Sequence, residues 1–527
     1  MNDRYGLRTI AVVAGVCLCQ LLTNCSSIPP SFSGAPNDCW PMGTSGNQVP
    51  SSSAPKCGSQ SAGTPVVQPD NQTRGTDIVK ATELSDGTFV GIALSGGGSR
   101  AANFSAAVLY YLKEAAIFDP AHAAIISSVS GGSLTAAYFA VYGDAGLITV
   151  KQKMFQDFQS SWEARWFYPG NVVRYWFTPM SRTDIMAGVF DEKLLGGKWV
   201  TYGDLPGTMP KIVLNSTSAM QNRFSFTDTS FNRLYARLGD FPIAYAAAAS
   251  AAFPAAFSSV ALRDYSPSNG SPLSSESRDS YVHVFDGGPS DNLGVDAIQQ
   301  GILTVGRKTT AKSCLMIIVD AYPDESDEEP HTPDTRGLFG RLIDQNAMWA
   351  MDTLLTQRRL DTLRELDYWN NSQTSGSSFS VNSPLKVRNL VSGKPAILNT
   401  DPPGNRSVWV ADIQNSRNVC TIWHLTFDHL PILSRDDSFS RTEPALPEKM
   451  VRIATIANST PTLFYLKPYR NLDSATVQNA IFCAAKILVT KDQQALDRVR
   501  QIVGANASGD QSEFGNDDVC DKSFDYQ

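Results

Sequence analysis

Three short segments carry residue types that can do chemistry together. Segment 91–100 (GIALSGGGSR) leads from an apolar run into a triple-glycine turn, and segment 127–133 (SSVSGGS) sets Ser130 among small residues. The third segment, 284–288 (VFDGG), places Asp286 directly before two glycines. A serine at a turn can act as a nucleophile, a carboxylate can take its proton, and backbone N–H groups can stabilise an oxyanion. In this order the segments predict a hydrolase that acts through a serine and an aspartate.

The serine segment is close to the G-x-S-x-G pattern of a nucleophile turn. That pattern needs small residues because a strained strand-to-helix turn brings neighbouring chain close to the serine. Here residues 128–132 are SVSGG, so Ser128 replaces the leading glycine. Ser130 also stands at the start of a predicted helix, whose positive end favours an alkoxide or an oxyanion. The alternative is an ordinary glycine-serine turn that opens a helix.

The glycine turn offers the backbone N–H groups of Gly96, Gly97 and Gly98 at another predicted helix start. Such groups suit a phosphate or a developing oxyanion. The nucleotide-binding interpretation fails, because no Gly-Lys-Ser/Thr follows and the glycine spacing is not G-x-G-x-x-G. Arg100 is a candidate contact for an anionic group of the substrate, and a structural arginine is the alternative.

Asp286 ends a predicted apolar strand and precedes Gly287 and Gly288. It should therefore project from a strand end onto a turn without side chains. A carboxylate within reach of Ser130 could accept its proton directly if burial raises its basicity. An ordinary Asp-Gly turn is the alternative for this segment taken alone.

The apolar pattern around these segments alternates between strands and helices. This alternation predicts an α/β fold with a largely parallel sheet that is covered by helices. The alanine-rich run 244–256 predicts a tightly packed helix that ends at Pro254. The predicted strands are Phe89–Leu94, Ile125–Val129, Lys211–Thr217, Tyr281–Phe285, Ser313–Val319 and Thr421–Phe427, and the other predicted helices are Ala101–Lys113, Gly132–Tyr142 and Leu338–Leu366.

Taken together, the glycine turn with its arginine, the serine turn, the Ala-Ser helix with Phe253-Pro254 and the Asp-Gly-Gly segment resemble the patatin-like phospholipases. The resemblance covers roughly residues 89–319. It implies a three-layer α/β/α sandwich with a mainly parallel central sheet. It also implies a catalytic dyad of Ser130 and Asp286, with Gly96, Gly97 and Gly98 as the oxyanion hole. The departures are Ser128, Ala101 where glycine is frequent, and a long region after Asp324 that the resemblance leaves unassigned.

The implied activity is that of a lipid acyl hydrolase of the phospholipase A or lysophospholipase type, working through an acyl-serine intermediate. Neither a metal nor an organic cofactor is implied. Two alternatives stay open: a Ser-His-Asp carboxylesterase, and a catalytically idle lipid-binding lipoprotein. The sequence contains five histidines, and none lies in a glycine-rich loop typical of a triad base. They are His122, His283, His331, His424 and His429.

Length and composition set the organisation of the chain. With 527 residues, we expect a signal peptide at 1–25, a flexible polar tether at 26–86, a hydrolase domain at 87–366 and a C-terminal extension at 367–527 packed on it. The formal net charge of -7 and the lack of a basic block exclude nucleic acid as an expected partner.

The first 25 residues predict export. Two arginines precede a short apolar run, which is typical of a secretory signal, and residues 22–25 (LTNC) resemble a bacterial lipobox. A lipid on Cys25 would make the protein an outer-membrane or periplasmic lipoprotein, and ordinary cleavage would make it a secreted one. Phospholipid or lysophospholipid substrates and a membrane surface are the expected partners.

Nine cysteines include two inside the signal, and six remain beyond Cys25 that could form disulfides in an oxidising compartment. Cys39 and Cys57 flank a flexible stretch and are the easiest pair to close. Cys314 opens an apolar run and is expected to be a buried free thiol. The lack of C-x-x-C spacing disfavours a zinc site.

An aromatic-rich stretch at 162–177 contains three tryptophans, two tyrosines, two phenylalanines and two arginines. Such a composition suits a membrane–water interface, and an ordinary core or cap cluster is the alternative.

Overall fold

The computed structural model describes residues 88–525 except 118–122, 179, 206–209, 220–222, 235, 255, 265–279, 308–312, 323–344, 375–407, 413–418, 436–440, 442, 462–463 and 505–518. The proposed signal, Cys25 and the polar tether therefore lie outside the described residues. The described strands are β1 (Thr88–Leu94), β2 (Ala123–Val129), β3 (Lys211–Ser218), β4 (Phe224–Ser225), β5 (Val260–Asp264), β6 (Ser280–Asp286), β7 (Ser313–Asp320), β8 (Val408–Asp412) and β9 (Val419–Thr426).

All the described strands join one sheet in the order β5-β6-β3-β2-β1-β7-β9-β8, with β4 paired to β3. The central strands β3, β2, β1, β7 and β9 are mutually parallel, and antiparallel pairs occur at both edges. The predicted α/β fold with a mostly parallel sheet is confirmed. Strand β6 departs from the parallel pattern, because it runs antiparallel to β3.

Helices follow most of the parallel strands, as their amphipathic or apolar sequences require. They are α1 (Gly98–Glu114), α2 (Gly131–Leu147), α3 (Val150–Met154), α4 (Phe158–Trp166), α5 (Pro169–Phe177), α6 (Arg182–Lys193), α7 (Asp228–Arg233), α8 (Ile243–Ser250), α9 (Gly288–Asp291), α10 (Val295–Arg307), α11 (Gln345–Thr374), α12 (Leu430–Leu433), α13 (Leu446–Asn458), α14 (Ser474–Thr490) and α15 (Gln493–Val503). Short 3-10 turns lie at 202–204, 238–240, 427–429 and 519–521.

The side chains of β1 show why the sheet is covered on both faces. Every residue of this strand is buried. Val90, Ile92 and Leu94 belong to one apolar cluster with α1 and α2, whereas Phe89 and Ala93 belong to a second cluster with α10 and α11. Because successive side chains of a strand point to opposite faces, two clusters on one strand mean two helical layers. This is the three-layer arrangement that the resemblance to the patatin-like phospholipases implied.

The region after residue 366 contributes to the same core. Strands β8 and β9 extend the sheet beyond β7, and α14 packs along α1. Gln478 of α14 donates its side-chain amide to Asn103 of α1 at 2.7 Å, inside this buried contact. A disulfide joins Cys483 of α14 to Cys520 near the C-terminus.

Two sequence predictions fail in detail. The sulfur of Cys314 is in a disulfide, so the prediction of a free thiol is wrong, although the residue is buried as expected. The alanine-rich helix ends at Ser250 rather than at Pro254, and residues 251–253 leave the helix to contact the end of β6. Cys39 and Cys57 lie outside the described residues.

A buried polar cluster fastens β7 to the elements that follow it. Asp320 of β7 is fully buried, and its Oδ2 accepts from Arg359 Nε of α11 at 2.7 Å and contacts His424 Nε2 of β9 at 3.0 Å. Burial alone would raise the pKa of Asp320, but Arg359 and His424 outweigh it and lower the pKa to about 2. The charged aspartate is therefore the stable form in the folded protein.

Within the described residues, no helix combines the length and the apolar character needed to cross a membrane.

We expect Asp320→Asn to lower the free energy of unfolding by about 3–5 kcal/mol, because it leaves the buried Arg359 without its charge partner. The contribution of Asp320 should be complete above its unfolded pKa near 3.8 and should disappear as the pH falls toward about 2. Denaturant titration at pH 7 tests the loss. The control is the exposed Asp361→Asn of α11, the helix that carries Arg359, which should change stability by less than about 0.5 kcal/mol. Equal effects of the two variants would contradict the role of Asp320.

Candidate active site

Ser130 lies in the sharp turn between β2 and α2. Its backbone has φ 49° and ψ −119°, a region that non-glycine residues rarely adopt and that costs about 1–3 kcal/mol. The turn is possible because Gly131 and Gly132 follow. A Cβ on Gly131 would lie 1.9 Å from the carbonyl oxygen of Gly98, and one on Gly132 would lie 2.7 Å from that of Leu94. The serine turn and the glycine turn are therefore in direct backbone contact.

The glycine turn follows β1 and caps α1. Gly97 has φ 131° and Gly98 has φ 60°, so both positions favour glycine. The N–H of Gly96 donates to the carbonyl of Asn292 at 2.9 Å. Gly96 therefore anchors the turn, in contrast to the expectation that all three glycines serve an oxyanion. Gly97 and Gly98 donate to no acceptor among the described residues, and their N–H groups remain for a ligand.

Asp286 is the last residue of β6 and is 1% exposed. Its Oδ1 accepts from the N–H of Gly288 at 2.8 Å. Burial raises the pKa of Asp286 to about 6, although the Gly288 N–H and the Ser130 hydroxyl partly lower it. Its Oδ2 has no donor at full hydrogen-bond geometry among the described residues. This oxygen is therefore free to accept a proton.

The register of β6 against β3 brings Asp286 to the level of Ser130. In the sheet, Val129 pairs with Asn215 of β3, and Asp286 pairs with the next residue, Ser216. The N–H of Asp286 also donates to the carbonyl of Ala252 at 3.0 Å. This register places the end of β6 at the same level of the sheet as the end of β2.

Among the described histidines, none approaches Ser130. His424 and His429 belong to or follow β9, which is separated from β2 by β1 and β7, a distance of about 14 Å at the usual strand spacing. His283 lies three residues before Asp286 on β6, and its Nδ1 contacts Ser259 Oγ at 3.2 Å. His122 and His331 lie outside the described residues.

Arg100 lies on the first turn of α1 and is 2% exposed. Its Nη1 donates to the carbonyl of Thr460 at 2.6 Å, which ties α1 to the chain after α13. Its Nε and Nη2 have no hydrogen-bond partner among the described residues, and Nη2 would lie 3.7 Å from a Cβ on Gly97. Burial lowers the pKa of Arg100 to about 10, so the group is still cationic at neutral pH. Arg100 therefore has two features: its hydrogen bond to Thr460 holds α1 in place, and its positive charge lies beside the glycine turn.

Two buried polar residues near the site were not singled out from the sequence. Asn215 of β3 donates its side-chain amide to Ser127 Oγ at 2.9 Å and to the Ser128 carbonyl at 3.0 Å. Asn292 supplies the carbonyl that holds Gly96. A usable signal did exist for Asn215, because a strand with a polar residue in an otherwise buried run implies a partner for that residue.

The comparisons with known proteins agree with this arrangement at the level of a domain. The family model described as patatin-like phospholipase matches residues 92–298. No curated protein matches the chain significantly.

Among solved structures, human GIVD cytosolic phospholipase A2 is 12% identical with a TM-score of 0.41, covering 81% of this chain and 61% of that one. The same human protein in complex with methyl gamma-linolenyl fluorophosphonate is 13% identical with a TM-score of 0.38, covering 82% and 63%. The chain thus spans less than two thirds of the length of these structures. The part of the chain that matches the patatin-like phospholipase model, residues 92–298, holds the glycine turn, the serine turn and the Asp-Gly-Gly segment.

Proposed function

We propose that the chain is a lipid acyl hydrolase of the phospholipase A or lysophospholipase type, with Ser130 as nucleophile and Asp286 as general base. The observation that carries this proposal is the pairing of a strained serine turn with a buried carboxylate whose Oδ2 is open to a proton. The match to the patatin-like phospholipases supports the lipid class of substrate.

In the acylation step, the Ser130 hydroxyl oxygen attacks the carbonyl carbon of the ester while its proton passes to Oδ2 of Asp286. A raised pKa supports this role, since a carboxylate near pKa 6 is a stronger base than an exposed one. The negative charge that develops on the carbonyl oxygen is stabilised by the N–H groups of Gly97 and Gly98 and by the positive ends of α1 and α2. Asp286 then returns the proton to the departing alcohol.

In the deacylation step, water attacks the acyl-serine while Asp286 accepts a proton from that water. The bond between Ser130 and the acyl carbon breaks, the serine oxygen regains the proton, and a free fatty acid leaves. Every step uses the same carboxylate and the same oxyanion donors. Arg100 is a candidate for attracting the phosphate of a phospholipid toward this turn, because its charge lies beside Gly97.

The aromatic-rich stretch supports contact with a lipid surface. Trp162 is 5% exposed and packs on Phe257 with ring centroids 5.0 Å apart, so the helix pair α4 and α5 is fixed to the domain on one side. On the other side, Trp176 is 74% exposed and Phe177 is 83% exposed. Large exposed aromatic side chains at a helix end suit the headgroup region of a bilayer. We call the end of α5 with Trp176 and Phe177 the aromatic tip. We propose that this tip, together with a lipid on Cys25 of an exported chain, holds the protein at a membrane.

The first test concerns the nucleophile and the base. Ser130→Ala should abolish reaction with a fluorophosphonate probe, and both Ser130→Ala and Asp286→Asn should remove most ester hydrolysis. Because the two residues act in one step, the double variant should be scarcely slower than either single variant. Peptide mapping of the labelled protein identifies the nucleophile.

His283→Ala should keep turnover within a few-fold of the parent, since the imidazole of His283 contacts the hydroxyl of Ser259. A folded histidine variant, including one at His122 or His331, that is as inactive as Ser130→Ala would show a triad base and overturn the dyad. A parent protein that fails to react with the probe would favour an idle lipid-binding protein.

The second test uses pH. The dyad needs an ionised Asp286, so kcat/KM for a soluble ester should fall about tenfold per pH unit below pH about 6 and stay level above it.

The same carboxyl should make stability depend on pH. Its pKa rises from 3.8 in the unfolded chain to about 6 in the folded protein, so its ionisation should lower the free energy of unfolding as the pH rises from about 4 to about 6. Asp286→Asn should therefore be more stable than the parent at pH 8, by up to about 3 kcal/mol, and the difference should shrink at pH 4. A variant that is less stable at pH 8 would contradict the buried charge.

The third test concerns the lipid surface. Replacing both Trp176 and Phe177 by serine should weaken binding to phosphatidylcholine vesicles about tenfold or more, because each buried aromatic contributes roughly 1.5–3 kcal/mol. Hydrolysis of a short-chain soluble ester should stay within twofold of the parent. Ile148→Ser, at a site that is 67% exposed outside this stretch, is the matched control and should bind as the parent does.

Equal vesicle binding by the double variant and the parent would contradict a role of Trp176 and Phe177 in membrane binding. N-terminal mass spectrometry of the exported protein decides the lipid anchor, since an unmodified N-terminus at another residue would exclude Cys25.

A further inference from the structure

We infer that Ser250 is a positioning residue of the reaction, whose hydroxyl fixes the backbone of the nucleophile Ser130 relative to the segment that holds Asp286. This inference rests on the proposed function and adds a residue that does not touch the substrate. Ser250 is the last residue of α8 and the one serine in a helix of alanines with a tyrosine and an isoleucine. It is fully buried.

The hydroxyl of Ser250 uses all its hydrogen-bonding capacity at the serine turn. Its Oγ donates to the carbonyl of Asn215 at 2.6 Å and accepts from the N–H of Ser130 at 3.0 Å. It also contacts Ser133 Oγ at 2.8 Å. A hydroxyl has one proton and two lone pairs, so the proton given to Asn215 leaves Ser250 as the acceptor from Ser133. Ser250 is therefore saturated, with one bond directed to the nucleophile's own peptide.

The proton of Ser133 also determines the direction of the next hydrogen bond. Because Ser133 gives its proton to Ser250, it must accept from Ser128, whose Oγ lies 3.0 Å away. Thus Ser128 donates to Ser133, Ser133 donates to Ser250, and Ser250 donates to the carbonyl of Asn215 in β3. Ser128 stands where the related pattern has glycine, and its hydroxyl is the first donor of this series. A chain of hydroxyls in a dry interior is stronger when every member is paired.

The segment that begins at Ser250 also holds the base. The carbonyl of Ser250 accepts from the N–H of Gly287 at 3.2 Å, and the carbonyl of Ala252 accepts from the N–H of Asp286 at 3.0 Å. One short segment therefore bonds the backbone of the nucleophile on one side and the backbone of the base on the other. The separation between Ser130 Oγ and the Asp286 carboxylate is set through it.

The strained backbone of Ser130 gives this contact its importance. With φ 49°, the residue is held in a conformation that costs about 1–3 kcal/mol, and a loss of the Ser250 bond lets it relax. A relaxed turn would move Oγ relative to Asp286 and to the N–H groups of Gly97 and Gly98. A misplacement of about 1 Å can lower a rate by about 10².

The experiment compares Ser250→Ala with Thr135→Val in the full-length protein. Thr135 provides a matched control, because its hydroxyl is equally buried in α2 and donates to the Ala102 carbonyl at 2.7 Å, away from the serine turn. Both variants lose one buried hydroxyl and should lower the melting temperature by similar amounts. Only Ser250→Ala should lower kcat and the rate of fluorophosphonate labelling, by about tenfold to 10², with KM within twofold of the parent.

A pH profile separates positioning from stability. The Ser130 hydroxyl lowers the pKa of Asp286 in the parent, so a displaced serine should move the acidic limb of kcat/KM to higher pH in Ser250→Ala. Thr135→Val should leave that limb unchanged. If Ser250→Ala does not fold, Ser250→Cys decides, because the thiol keeps the volume and bonds only weakly.

A folded Ser250 variant with parental kcat and an unshifted pH profile would overturn the inference, as would an equal loss in the Thr135 control. A parent protein that is unreactive toward the fluorophosphonate would instead refute the proposed function. The two failures are therefore distinguishable.

Discussion

The contact between two backbone turns is the constraint on which the rest of the site depends. The peptide of Gly98 lies against Gly131 so closely that a single Cβ on Gly131 would overlap a carbonyl oxygen. Only glycine permits this approach, and it places the first N–H groups of α1 beside the side chain that starts α2. Two helix starts, whose dipoles both present their positive ends, then converge on one point. The parallel order of β1 and β2 makes the convergence possible, because their carboxyl ends meet at the same edge of the sheet.

The buried carboxylate of Asp286 imposes a second constraint, because its charge lowers the stability of the folded protein. Burial of a charged Asp286 costs stability, because no cation pairs with it among the described residues, and its raised pKa reflects that cost. Asp320, at the end of β7, shows the contrasting solution, since Arg359 and His424 keep its charge favourable. Two buried aspartates at the same edge of one sheet therefore differ in pKa through their partners: that of Asp320 is lowered to about 2, and that of Asp286 is raised to about 6.

The sequence predicted much of this arrangement because local patterns decide it. Apolar runs such as Phe89–Leu94 and the glycine turns after them depend on backbone sterics and burial, which adjacent residues reveal. The direction of β6 was not predictable from Tyr281–Phe285, since an apolar strand has the same pattern in either direction. The partner of Gly96 and the paired state of Cys314 also depend on residues far away in the chain. Long-range partners of this kind leave no signal in the local pattern.

The boundary of the functional unit follows from the same long-range contacts. The family match ends at residue 298, before β7 begins. Yet β7 pairs with β1 along the whole of that strand, and the N–H of Ala321 donates to Ser95 Oγ at 2.9 Å, immediately before the glycine turn. Arg100 reaches Thr460, beyond α13, from the first turn of α1. The glycine turn is therefore held on one side by the serine turn and on the other by chain that lies 20 to 160 residues beyond the matched region. A fragment that stopped at residue 298 would keep Ser130 and Asp286 and would lose these contacts to the glycine turn.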